Sequence, residues 1–329
     1  MNFLLRCLAL TLLWLAAVRP GHAATPLLRP QPPVEISDSR GGFGVLAVDD
    51  PKRRLLLAHT GNGTLDVMDL NTGKVIKQIK TGAITSLVVD VAHGRYYVSG
   101  GGGKMFALID REKLEMTGEF ALPGSGETMA LGPAGVNRIF AASASGAELW
   151  VVDAAAKSVV GTIAVSAGAS AIVAEDGSSR IYLSTASDDS VQSVSAADNN
   201  STLGGAWATA PAKKPQALAL DPRGERRLFV AGVNGKLVTL AAGDGQRIGI
   251  NSIPSGVTHL AFDATKDRLY CPGGGGKMAV FDTQGNFLHP LGEVATARGA
   301  KSIAIDPATH AVWLAYTEGG KCFAQKFVP

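Results

Sequence analysis

A short apolar segment ending at an acid recurs along this chain: GVLAVD, TSLVVD, ETMALG, SAIVAE, QALALD, THLAFD and KSIAID. The last residues are Asp49, Asp90, Gly132, Glu175, Asp221, Asp263 and Asp306, spaced by 41, 42, 43, 46, 42 and 43 residues. A near-constant period of this length restricts the chain to repeat architectures, in which each unit buries its apolar face against its neighbours.

Each unit continues in the same way. A second apolar segment follows, in six units after an arginine: RLLLAH, RYYVSG, RIFAAS, RIYLST, RLFVAG, RLYCPG, and AVWLAY in the last. One column in these segments reads Leu56, Tyr97, Phe140, Tyr182, Phe229, Tyr270 and Trp313, aromatic in six of seven, as the wedge-shaped space between radial sheets requires. A third segment (TLDVMD, ELWVVD, KMAVFD), a turn and a fourth segment such as VIKQIK complete the unit. Four strands in about 43 residues, with no long helical periodicity in competition, predict an all-β, seven-bladed propeller of four-stranded antiparallel blades. The last unit stops at Pro329 without a fourth strand, and PPVEISDSRGG (residues 32–42) has the pattern to supply it. Closing the ring with this N-terminal strand removes an open joint. The expected domain therefore runs over 33–329.

The units ALALDPRGERRLFVAG and VLAVDDPKRRLLLAHTGNGTLDVMDLNTGKVIKQI resemble the YVTN-repeat propellers, often secreted or periplasmic in bacteria, although YVSG and FVAG replace the literal motif. The resemblance implies the fold and carries over no catalytic residue, since the shared positions are blade-forming.

Upstream of the repeats, MNFLLRCLALTLLWLAAV and GHAAT read as a signal peptide over 1–23, cleaved near Ala23 or Ala24, followed by a short linker over 24–32. A periplasmic or secreted protein is expected. Cleavage takes the formal charge from +3 to +1, which gives no support for bulk nucleic-acid binding. The aromatics follow core columns rather than basic surfaces, so nucleic acid is not expected as a partner. No later segment has the apolar length to cross a membrane. Two cysteines remain, Cys271 and Cys322; a bridge between them is permitted by the compartment but not required.

GGGGKM occurs at Gly100–Met105 and Gly273–Met278. A phosphate loop needs Ser or Thr after the lysine and a helix beyond it, and neither copy has them. Both copies are read as hairpin tips between second and third strands. Those tips and the loops between blades form one face, called upper here. It should carry ten bases, Arg40, Lys80, Lys104, Lys213, Lys214, Lys236, Lys277, Arg298, Lys301 and Lys321, against Glu127, Glu148, Asp188, Asp189 and Glu318. That excess favours an anionic ligand or an acidic partner surface, or it merely solubilises the tips.

Where the inner strands begin, Gly44, Thr85, Glu127, Ser170, Gln216, Thr258 and Lys301 form a mostly polar ring at the channel mouth. One residue later His259 interrupts a column of mostly small residues, and His59 ends the second strand of blade one. Glu127 and His259 are the candidates for acid–base chemistry; His59, Lys104, Glu127, Gln216, His259, Lys277, Lys301 and Lys321 are the candidate ligand-binding residues. The alternative for His259 is a hydrogen-bonded histidine plugging the channel. No metal-ligand spacing, calcium loop, Cys-x-x-Cys or nucleophile elbow is present in the sequence, so no metal or cofactor is predicted. The reading is a non-enzymatic platform, expected to be monomeric, for an unidentified protein partner or a small anionic ligand; the alternative is a lactonase-like hydrolase at the channel mouth.

Overall fold

The computed structural model describes residues 27–100, 105–133, 136–175, 178–196 and 201–329. The segment read as a signal peptide, the first GGGGKM tip and Lys104 with it lie outside the described residues. Seven antiparallel sheets form seven blades, and no helix occurs among the described residues. Blade one shows the plan: Leu46–Asp49 innermost, then Arg54–His59, Thr64–Asp69 and Val75–Lys80. Blade seven takes Ser302–Ile305, Val312–Glu318 and Lys321–Val328 from the C-terminus, and its outer edge from the other end of the chain. There Val34–Ile36 pairs with Ala324–Cys322, and pairing starts earlier, at Arg29 opposite Val328. The N-terminal strand thus closes the ring, and part of the expected linker joins it.

The repeat explains how the core is divided. Seven apolar clusters fill the seven gaps between neighbouring blades, and each contains one residue of the wedge column. Leu56 lies between blades one and two, Tyr97 between two and three, and Trp313 between seven and one. All seven column residues are at most 4% exposed. Cys271 belongs to the gap between blades five and six, Cys322 to that between seven and one; both thiols are free.

The acid ending each inner strand has a local and a long-range task. Its carboxylate accepts backbone N–H groups of the following turn, as Asp90 does from His93 (3.0 Å) and Asp263 from Thr265 and Lys266 (3.0 Å each). In blades one, four, six and seven it also binds a base from the next blade, whereas Asp221 of blade five meets Arg223 and Arg227 of its own blade. Arg111 grips Asp49 with two bonds of 2.7 Å, Arg226 meets Glu175 at 2.8 Å, His310 meets Asp263 at 2.8 Å, and Arg53 meets Asp306 at 2.6 Å. Blade three has Gly132 in this column, and Asp90 turns to His93 of its own blade. Beside them a cleft of about 300 Å³ opens between blades two and three.

Candidate functional site

The upper face is made by loops whose shape the repeat dictates. The second GGGGKM copy is a hairpin tip: Gly273 pairs with Lys277, and Gly276 has φ +93°, a conformation that a side chain would strain. At the channel mouth, blades approach so closely that a Cβ on Gly44 would sit 2.2 Å from the Thr85 carbonyl oxygen. Only glycine fits that place in the ring.

The ring is polar and stitched across blades. Gln216 Nε2 donates to Ser170 Oγ (3.4 Å), Thr85 Oγ1 donates to the Glu127 carbonyl (3.4 Å), and Ser302 Oγ donates to the Phe43 carbonyl (3.2 Å). His259 Nδ1 lies 3.1 Å from Thr258 Oγ1 and 3.3 Å from the Lys301 carbonyl oxygen. Because a carbonyl only accepts, Nδ1 carries the proton and Nε2 presents a lone pair. Burial lowers the His259 pKa to about 4, the Lys301 carbonyl opposes the change, and the Lys301 charge adds to it. The imidazole is therefore neutral at neutral pH, a hydrogen-bond acceptor and a poor proton acceptor. Below it, from Leu260 onward, the inner strands of blades six, seven and one line an apolar channel cavity of about 470 Å³.

Glu127 is held elsewhere. Its carboxylate accepts from Ser125 Oγ (2.7 Å), in the loop leading into blade three, and from the Ala144 N–H (2.7 Å) of blade three, whereas His259 is held between blades six and seven. The structure does not join them as an acid–base pair. His59 is also withdrawn from the face: it is fully buried, bound to Asp66 and stacked on Phe43 at 4.1 Å between centroids.

The bases divide into two groups. Lys277 pairs with Glu293 (2.7 Å), Lys321 with Glu35 (2.9 Å) and Lys213 with Asp189 (3.2 Å), while Lys236 donates to Ser252 Oγ (3.2 Å). Among the described residues, Arg40, Lys80, Arg298 and Lys301 are exposed and have no ion-pair partner; Arg40, Arg298 and Lys301 lie in the loops that join blades six, seven and one, and Lys80 ends the outer strand of blade one where the chain passes to blade two. Lys214 is also unpaired but stands apart, its backbone N–H bound to Asp189. Across the ring, Glu148 and Asp188 are engaged by Trp150 Nε1 and by Ser166, Thr185 and Ser190. Two acids, Asp38 and Glu318, share the basic side without an ion-pair partner. In the sequence these cations look alike; only the pairing pattern separates the occupied from the unoccupied.

No protein-family model matches the chain, and no curated protein does. Solved structures match its shape. A structure described as U3-55K superposes with a TM-score of 0.77 at 8% identity, covering 91% of this chain and 98% of that one. Hydrazine synthase from Kuenenia stuttgartiensis gives 0.73 at 13% identity, covering 88% and 96%. At such identities the likeness establishes the seven-bladed propeller alone.

Proposed function

We propose that this propeller is a non-enzymatic binding platform whose upper face takes a small anionic ligand or an acidic partner surface. The docking sector is the group Arg40, Lys80, Arg298 and Lys301, with His259 offering an acceptor at its inner edge. One observation carries this reading: the cations of that sector are exposed and unpaired, whereas the flanking Lys277 and Lys321 already hold carboxylates. Four unpaired cations against two unpaired acids leave an excess of positive charge, which raises the local concentration of the opposite charge and speeds its docking. The hydrolase alternative has less support, since Glu127 and His259 are held by different blades and His259 is a weak base.

The YVTN-like repeats support a place among propellers of that type, and residues 1–23 support a periplasmic or secreted location. N-terminal sequencing of the purified protein should find a start near Ala24 or Thr25. The docking sector is tested by titrating the protein with polyglutamate and, separately, with inorganic phosphate at low and high salt. Replacing Arg40, Lys80, Arg298 and Lys301 by Gln together should weaken binding at least about tenfold, since each lost contact of this kind removes a salt-dependent increment. Binding to polyglutamate alone would assign an acidic partner, and binding to phosphate a small anion. No binding of either by the native protein, or binding the quadruple variant retains in full, would refute the platform reading.

A further inference from the structure

Where the ring closes, a chain of polar side chains runs through an otherwise apolar gap. Asp66, His59 and Cys322 are all fully buried. His59 Nδ1 lies 2.6 Å from Asp66 Oδ2, and His59 Nε2 lies 3.4 Å from Cys322 Sγ. Thr64 Oγ1 donates to the other Asp66 oxygen at 2.6 Å. A carboxylate at that distance requires the proton on Nδ1, so the Nε2 lone pair faces the sulfur.

The repeat shows that the fold does not ask for these residues. In the register position of Asp66 the other blades have Ala107, Trp150, Gln192, Val238, Ala279 and Gln325, none of them ionisable. In the place of His59 they have Gly100, Ser143, Thr185, Gly232, Gly273 and Tyr316. Blade one departs from the pattern at two positions that touch, and the departure ends on a cysteine of blade seven.

The sulfur is buried but shallow. Its single S–H has two acceptors in reach, His59 Nε2 and the carbonyl oxygen of Gly41, each at 3.4 Å, and Thr317 Oγ1 donates to the same carbonyl. Gly41 is exposed, as are Ser37, Asp38, Arg40 and Gly42 of the segment that leads from the closing strand to blade one. Cys271, by contrast, sits in an apolar gap where burial pushes its thiol pKa up, with no polar partner.

We propose that Cys322, His59 and Asp66 form a thiol relay that makes Cys322 a site of oxidation by hydrogen peroxide. His59 Nε2 takes the Cys322 proton, with Asp66 holding the ring and stabilising its charge. The thiolate attacks one peroxide oxygen; the S–O bond forms as the O–O bond breaks, and the departing hydroxide leaves as water with the proton returned from His59. The product is the sulfenic acid. The added oxygen displaces the Gly41 carbonyl from Cys322, which loosens the segment over the closure.

The test compares the two buried thiols of the native chain. Hydrogen peroxide is added with dimedone, and peptide mass spectrometry reads the adduct at each cysteine. Cys322 should react at least about 50-fold faster than Cys271, the span expected between a base-assisted and an inert buried thiol. Asp66→Asn, nearly isosteric, should slow Cys322 at least about fivefold with the fold retained by circular dichroism, because it no longer favours the Nδ1–H tautomer or the imidazolium. The oxidised protein should be cut faster by trypsin after Arg40. Equal rates at the two cysteines in the native protein, or oxidation of Cys322 no faster than global hydrogen exchange, overturns the proposal without any variant. An unchanged rate in folded Asp66→Asn, or unchanged cleavage after Arg40, does so as well.

Discussion

The two faces of the ring use charge in opposite ways. On the lower face, acids at the ends of inner strands are buried and meet bases from the next blade: Asp49 with Arg111, Glu175 with Arg226, Asp263 with His310 and Asp306 with Arg53. On the upper face, Arg40, Lys80, Arg298 and Lys301 face solvent without ion-pair partners. The lower charges are consumed by joining blades; the upper ones remain for something outside the chain. The contrast also shows in titration. Burial by itself would raise the Asp49 and Asp306 carboxyls, but hydrogen bonds from Arg111 and Tyr96, and from Arg53 and Thr309, outweigh it and hold both below the usual range. On the upper side His259 lacks such a compensating charge, and burial wins.

The largest effect that could break this comparison is removal of a lower-face base. Arg111→Leu leaves the Asp49 carboxylate, fully buried, with only Tyr96 and a backbone N–H, and should cost about 3–5 kcal/mol in urea unfolding. A loss under about 1 kcal/mol would mean that the lower pairs are as dispensable as surface ones.

Acidification should act next, and with the same sign on both faces. His259 titrates at about 4 in the folded chain against its ordinary 6.5, so the unfolded chain binds that proton first and stability falls as pH drops from 6.5 to 4. His259→Asn should remove that part of the decline in melting temperature. The carboxyls of Asp49, Asp221 and Asp306 are depressed, so their stabilisation is complete above the ordinary carboxylate value near 3.9 and is lost as pH falls below it through their folded values. A melting temperature flat between pH 6.5 and 4 would contradict the His259 environment.

The smallest effect on stability should come from the upper face. Lys301→Gln removes an exposed, unpaired charge and should change unfolding by no more than about 0.5 kcal/mol, even though the docking reading places it at the centre of binding. A larger loss would show that Lys301 also belongs to the fold.

Much of the architecture was legible in the sequence because repetition turns each structural demand into a column. An acid every 43 residues or so marked the inner strands, and the column from Leu56 to Trp313 marked the seven gaps, each of which the structure fills with one of those residues. The candidate site was less legible. An upper-face lysine looks the same in sequence whether or not a carboxylate stands within reach, and of Lys277 and Lys301 only the first has one. Glu127 and His259 fell at neighbouring places in the repeat, yet blades three and six hold them apart.

His59 gives the sharpest case. By strand position it belonged to the upper face, and only packing against Phe43 and Cys322 placed it in the core. Asp66 carried a signal, as the only acid in its column, but nothing in the sequence paired it with a cysteine more than 250 residues away. Sequence by itself determined the strands, their grouping into seven blades and the residues between them, because these depend on local pattern and nearest neighbours. Tertiary structure alone decided which charges are neutralised and which thiol meets a base, because those depend on contacts across blades and across the closure, where the two ends of the chain meet.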